Sequence, residues 1–206
     1  MAFRRFSGAL AFAPGGEHVL FVSNISGQFN LWRVPADGGW PQQLTSFADE
    51  TVRMLAVSPR DGTIVVAADP HGDEFHQLYL LDPEEGWPEQ LTDAPEVQHF
   101  VSGDAFSPDG SKLAYAANAR TPTDMEVWVR DLDSGETRVV FGEGMYSHPG
   151  GWSPDGTRLL AVDTRNNSDS SIHVVDIESG DATELTPHDD LARYVPGPWA
   201  PDGTGF

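Results

Sequence analysis

The chain has 206 residues, no cysteine and a formal net charge of −20, from 32 Asp and Glu against 12 Lys and Arg. That composition excludes disulfides, a thiol nucleophile and cysteine-bound metal, and it disfavours nucleic acid and anionic membranes, whose phosphates need cationic side chains. With no apolar run of membrane-spanning length, 21 Gly and 16 Pro point to many turns and hence to many short strands.

Lys112 is the one lysine. Few Lys with abundant Asp suits a high-salt cytoplasm, where screening relieves self-repulsion; a GC-rich genome gives the same bias. Arg4-Arg5 ahead of "FSGALAFA" loosely imitates a secretory signal. Its apolar stretch is short and broken by Ser7 and Gly8, so it reads as mature sequence, and a cytoplasmic location is expected.

In chain order, "AFAPGGEHVLFVS" from Ala11 opens a pattern that returns as "AVSPRDGTIVVAA" from Ala56, "AFSPDGSKLAYAA" from Ala105 and "GWSPDGTRLLAV" from Gly151. The turn prolines Pro14, Pro59, Pro108, Pro154 and Pro201 are 45, 49, 46 and 47 residues apart. Each turn is followed by an apolar strand, a polar connection and an alternating strand: "FNLWRV", "HQLYLLD", "MEVWVRDL" and "SIHVVDI". A hairpin turn then leads to a last strand ending "QQLT", "EQLT", "TRVV" or "TELT". With the strand before the Pro turn, each copy supplies four strands. A period of this size with that content predicts an all-β fold, a β-propeller of four-stranded antiparallel blades. The expected blades are residues 8–47, 52–95, 101–144 and 147–190, with the start of a fifth at 194–206, so the ring is incomplete.

In the S-P-D-G turn, Pro presets φ, Gly takes the left-handed conformation, and Asp109 or Asp155 accepts nearby backbone N–H groups. Those Asp residues are therefore read as structural. Phe106, Trp152 and Trp199 precede the turns and are expected to pack between blades; Trp32, Tyr79 and Trp128 on the third strands are expected in the core.

These repeats resemble TolB-type propellers. They resemble more closely the N-terminal propeller of the prolyl oligopeptidase family, in the branch of acylaminoacyl and dipeptidyl peptidases. "GGWPQQLT" (38–45), "HGDEFHQLYLLD" (71–82) and "TRNNSDSSIHVVDIESGDATELTPHDDLARY" (164–194) carry that likeness. The resemblance implies a missing C-terminal α/β-hydrolase domain with a Ser-Asp-His triad and a peptide substrate in the full-length protein. It also implies a substrate-gating role for the propeller. No G-x-S-x-G nucleophile elbow occurs in the sequence, so no catalytic residue is assigned and the chain alone is expected to be inactive. "WAPDGTGF" (199–206) then reads as a cut inside a fifth repeat. The alternatives are a TolB-type binding or scaffold module and a short protein that completes its ring with a second copy, since open blade edges favour self-association.

Dipeptidyl peptidases hold the substrate's amino terminus with an acidic pair. The pair here, Glu84-Glu85, falls in a hairpin turn, and ordinary solvation explains it. His71, Asp73, Glu74 and His76 form the densest group of metal-ligating side-chain types, but as a polar blade connection; no metal and no cofactor are assigned. Candidate substrate or partner contacts lie on the loops leading into the innermost strands: Arg53, His99, Tyr146, His148, Arg193 and Tyr194.

Overall fold

A computed structural model of the protein describes residues 5–84, 87–142 and 146–206. Arg4 of the signal-like start, Glu85 of the acidic pair and Gly144 at the expected close of the third blade lie outside the described residues.

The described residues form four four-stranded antiparallel sheets, the blades of a β-propeller, followed by the turn that starts a fifth. The first sheet contains β1 (Phe6–Phe12), β2 (His18–Ser23), β3 (Asn30–Pro35) and β4 (Gln42–Gln43). The second contains β5 (Glu50–Val57), β6 (Ile64–Pro70), β7 (Gln77–Leu81) and β8 (Glu89–Gln90). The third contains β9 (His99–Phe100), β10 (Lys112–Ala117), β11 (Glu126–Asp131) and β12 (Thr137–Phe141). The fourth contains β13 (Tyr146–Trp152), β14 (Arg158–Asn166), β15 (Asp169–Asp176) and β16 (Ala182–Glu184). By internal contacts the chain divides into two compact units, one up to Gly103 and one from Asp104 onward.

The second strand of each blade is a continuous apolar run because both its faces are covered. Residues Ile64–Asp69 of β6, Leu113–Ala117 of β10 and Leu159–Asp163 of β14 are all buried. In the first unit, Leu20, Val22 and Leu31 pack against Val52, Leu55, Ile64, Val66, Tyr79 and Leu81 of the next blade. In the second unit, Val127, Val129, Val140 and Phe141 pack against Trp152, Leu159, Val175 and Ile177. Each fully buried Leu or Val contributes about 1.5–3 kcal/mol before entropy is subtracted. Strand β1 alternates instead: Ala9 and Ala11 face the shared core, while Phe6, Leu10 and Phe12 on the opposite face are each at least 65% exposed.

The tryptophans join neighbouring blades by packing and by hydrogen bonds. Trp152 Nε1 donates to Ala105 O at 3.0 Å, and Trp199 Nε1 donates to Gly151 O at 3.2 Å. Both bonds reach the residue just before the corresponding aromatic of the preceding repeat. On the third strands, Trp32 and Tyr79 are buried and Trp128 is half-buried. Trp32 Nε1 donates to Ser23 O and Trp128 Nε1 to Ala117 O.

The recurring "LT" has a similar logic. Thr45, Thr92 and Thr186 Oγ1 each accept a third-strand N–H at 2.9 Å, from Leu31, Leu78 and Ile172. The leucines before them, Leu44, Leu91 and Leu185, donate to the carbonyls of the same three residues. The Thr hydroxyl thus stands in for strand pairing where the outer strand ends. The third blade has "TRVV" there, and its outer strand continues until Phe141 pairs with Val127.

The Pro turns are closed as the sequence predicts. Asp109 Oδ1 accepts Ser111 N–H and the Ser107 hydroxyl; Asp155 does the same with Thr157 N–H and the Ser153 hydroxyl. These bonds to the charged carboxylate lower both Asp pKa values to about 2. Asp202 accepts Thr204 N–H in the same way, so residues 200–205 form the same kind of turn.

Two substitutions test these bonds. Trp152→Phe keeps most of the ring but removes its N–H bond to the Ala105 carbonyl, which is left with the Ala114 N–H alone, and it should lower stability by about 1–2 kcal/mol, roughly 2–8 °C in Tm. Gly110 has φ 68°, where a β-branched residue is strained. Gly110→Val should cost about 1–3 kcal/mol, whereas Gly103→Val, with nothing within 4 Å of the added carbon, should cost far less in the same thermal melt.

Candidate functional site

The start of each innermost strand is tied to the start of the preceding blade's third strand. Val52 N–H donates to Phe29 O at 3.1 Å, and Ser147 N–H to Met125 O at 2.9 Å. In the third blade a side chain takes over: His99 Nδ1 lies 2.8 Å from His76 O. A carbonyl only accepts, so the His99 proton sits on Nδ1. These three ties place the loops that carry the candidate residues.

In the second unit these loops surround an open cleft of about 710 Å³. Tyr146 and His148, two residues apart on β13, fall on one face of the strand by its period of two, and both line the cleft. Ser147 between them turns the other way, to Asp163. Thr123 and Asp124 from the β10–β11 connection, Thr164 to Asn167 from the end of β14 and the turn after it, and Arg193 complete the lining. The structure therefore brings together three of the six residues singled out in the sequence: Tyr146, His148 and Arg193.

Tyr146 is 43% exposed, and its ring centre lies 5.9 Å from that of His148. Burial raises the Tyr146 pKa and lowers that of His148, whose Nδ1 is buried without a hydrogen-bond partner, so the imidazole is neutral. Tyr194 follows Arg193 but packs on His188, with ring centroids 5.2 Å apart. His188 Nδ1 lies 2.6 Å from Thr186 O and Nε2 3.0 Å from Asp169 Oδ1. Those two acceptors raise its pKa.

The remaining two candidates lie in the first unit, in a polar cluster. Arg53 Nε donates to Asp69 Oδ1 at 3.0 Å, and its guanidinium sits 6.0 Å from the Phe29 ring centre. His76 Nε2 is 3.8 Å from the same carboxylate oxygen. His99 is only 4% exposed. Burial lowers the pKa of both histidines, and for His76 it outweighs the attraction of Asp69.

Sequence reasoning passed over Asp69, whose side chain is fully buried at the centre of this cluster. The signal was present: Asp69 closes the apolar run "TIVVAAD", and Asp163 closes "RLLAVD" in the same way. Their registers match, since Asp69 pairs with Thr51 and Asp163 with Ser147. A charged residue ending a strand buried on both faces needs a partner. Arg53 approaches the first at 3.0 Å and Arg165 the second at 4.0 Å. His71 and Glu74, from the group weighed as metal ligands, lie in an exposed turn with positive φ of 55° and 68°. Among the described residues no group of three or more His, Cys, Asp or Glu could hold a metal ion.

Known proteins share this architecture and part of the sequence. No protein-family model matches the chain. Dipeptidyl aminopeptidase BIII of Pseudoxanthomonas mexicana is 26% identical over 195 residues, 92% of this chain and 27% of that protein. The chain thus spans little more than a quarter of that relative's length. Among solved structures, TolB from Acinetobacter baumannii superposes with a TM-score of 0.63 at 19% identity, covering 97% of this chain and 45% of that one. A puromycin-hydrolyzing peptidase of Mycobacterium tuberculosis gives 0.65 at 16% identity, covering 88% and 29%. These bear out the resemblance to peptidase and TolB propellers; the structural likenesses establish the fold.

The buried histidines give the protein an acid limit. His76, His99 and His148 all have folded pKa values below their ordinary 6.5, so the unfolded chain binds more protons once pH drops below that value. The contribution of these three should be full above pH 6.5 and fall as pH decreases from there, while His188, whose pKa is raised, contributes in the opposite sense. Asp61, Asp109 and Asp155, with pKa values of about 2, release their contribution only below about pH 4. Urea midpoints at pH 8, 6.5 and 5 should therefore show a loss between pH 6.5 and 5, and His148→Phe should flatten it.

Proposed function

We propose that this chain is the non-catalytic, substrate-gating propeller portion of a longer serine peptidase similar to dipeptidyl and acylaminoacyl peptidases. The observation that carries the reading is the alignment of nearly the whole chain with a dipeptidyl aminopeptidase, of which it covers little more than a quarter. Catalysis would come from an α/β-hydrolase domain outside these residues, by Ser attack assisted by His with an oxyanion hole. The propeller would restrict access to that triad, so that peptides are cleaved and folded proteins are not. Tyr146, His148, Arg193 and Tyr194, with Arg53, would be the substrate-facing residues, with the buried His99 holding its loop in place behind them, and the protein would act in the cytoplasm. The exposed Phe6, Leu10 and Phe12 face favours self-association of the chain in isolation.

A TolB-type binding module is the second reading, supported by the fold-level likeness over 97% of the chain. The reading frame past Phe206 separates the two: the peptidase reading expects a G-x-S-x-G followed by Asp and His, and a stop codon there overturns it. With the full-length enzyme in hand, a dipeptide nitroanilide should be hydrolysed by the whole protein and not by residues 1–206. Removing these blades should raise cleavage of casein relative to that small substrate. Unchanged selectivity would sink the gating role.

A further inference from the structure

Arg193 is set apart by its place on the cleft. The chain carries only 12 basic residues against 32 acidic ones; among the described residues Arg33, Arg53, Arg60, Arg120 and Arg165 pair with carboxylates, and Arg138 and Arg158 donate to the carbonyls of Ile177 and Gly203. Arg165, on the same cleft, faces Asp163, Asp169 and Glu184 at 3.1–4.0 Å and donates to Ser171 Oγ. The Arg193 guanidinium is exposed and reaches only the Asn167 carbonyl, at 3.5 Å. Among the described residues it has no carboxylate within 4 Å.

The backbone beneath it is nonetheless fixed. Ser170 N–H donates to Ala192 O at 3.0 Å, Ser170 Oγ donates to Tyr194 O at 2.8 Å, and Tyr194 N–H donates to Ser170 Oγ at 3.0 Å. Arg193 itself bridges Ser170 in parallel. An unpaired guanidinium on a pinned backbone, in a field of net negative charge, is arranged to receive an anion from outside the chain.

The lining restricts which anion. Asp124 also borders the cleft, where its carboxylate accepts the Thr123 hydroxyl at 2.8 Å. Together with the net charge of −20, it opposes phosphates and other polyanions. The neutral His148 adds no positive charge, so Arg193 carries the attraction. Tyr146 supplies an apolar wall, which suits an organic anion better than a bare inorganic one.

We propose that this cleft binds the carboxylate of a peptide, C-terminal or side-chain, with Arg193 as its bidentate anchor and Tyr146 as its apolar wall. The inference rests on the reading above that the loops around this cleft meet peptides, and it names the group they recognise.

Calorimetric titration of the 206-residue chain tests it with three probes: acetyl-tetra-alanine with a free carboxylate, the same peptide as its C-terminal amide, and acetyl-Ala-Asp-Ala amide. At least one carboxylate peptide should bind about tenfold or more tighter than the amide, as expected for a charge-assisted bond. The stronger of the two identifies the source of the carboxylate. Arg193→Gln should abolish the preference while leaving the thermal melt unchanged, Arg193→Lys should retain part of it, and Arg60→Gln, an equal change of charge in the other unit, should leave it intact. Equal binding of acid and amide overturns the carboxylate assignment and leaves the gating role standing. A preference that survives Arg193→Gln, or is lost equally in Arg60→Gln, overturns Arg193 as the anchor. The peptidase reading fails separately, on the reading frame, and a carboxylate preference would survive that failure.

Discussion

The middle strands of these blades have two apolar faces. A single four-stranded sheet can cover neither, so each blade is stable only beside a neighbour. Strands β6, β10 and β14 show the consequence: runs of five or six consecutive buried residues in which the usual polar-apolar alternation is lost. Everything else in the fold manages that requirement. Rings such as Trp152 are drawn into the space between blades, and their N–H groups then need acceptors there, which the backbone of the preceding repeat supplies. The first strand, β1, has a covered face of alanines and an uncovered face bearing Phe6, Leu10 and Phe12.

Polar groups are used sparingly and at fixed places. The outer strands end early, and a Thr hydroxyl satisfies the third-strand amide that would otherwise be left over. The carboxylates of Asp109, Asp155 and Asp202 close turns by accepting backbone N–H groups, which accounts for part of the acidic excess without any catalytic role. Asp69 and Asp163 close the buried strands, each approached by an arginine. Among the described cations left without a carboxylate, Arg193 is the one that lines the cleft, on the rim where ligand-contacting loops belong. That economy of positive charge connects the fold to the proposed recognition of peptide carboxylates.

By itself the sequence determined the blades. The 45–49-residue spacing of the turn prolines, the apolar runs after them and the S-P-D-G chemistry are local properties, set by φ preferences and by the period of a strand. The inter-blade place of Trp152 and Trp199 was legible for the same reason, since a large ring at a fixed point of each repeat has one wedge to fill.

The site was only partly legible. Loop position marked Tyr146, His148 and Arg193, and the structure gathers them around one cleft. The same rule marked His99, whose ring is buried and bonded to His76 O, and it missed Asp69, which anchors Arg53. Whether a loop residue faces solvent or ties two blades together depends on what the neighbouring blade presents, a contact across more than twenty residues for His99. Only the tertiary structure decided those roles, because burial and charge pairing are set by packing between repeats and local sequence specifies only the repeat.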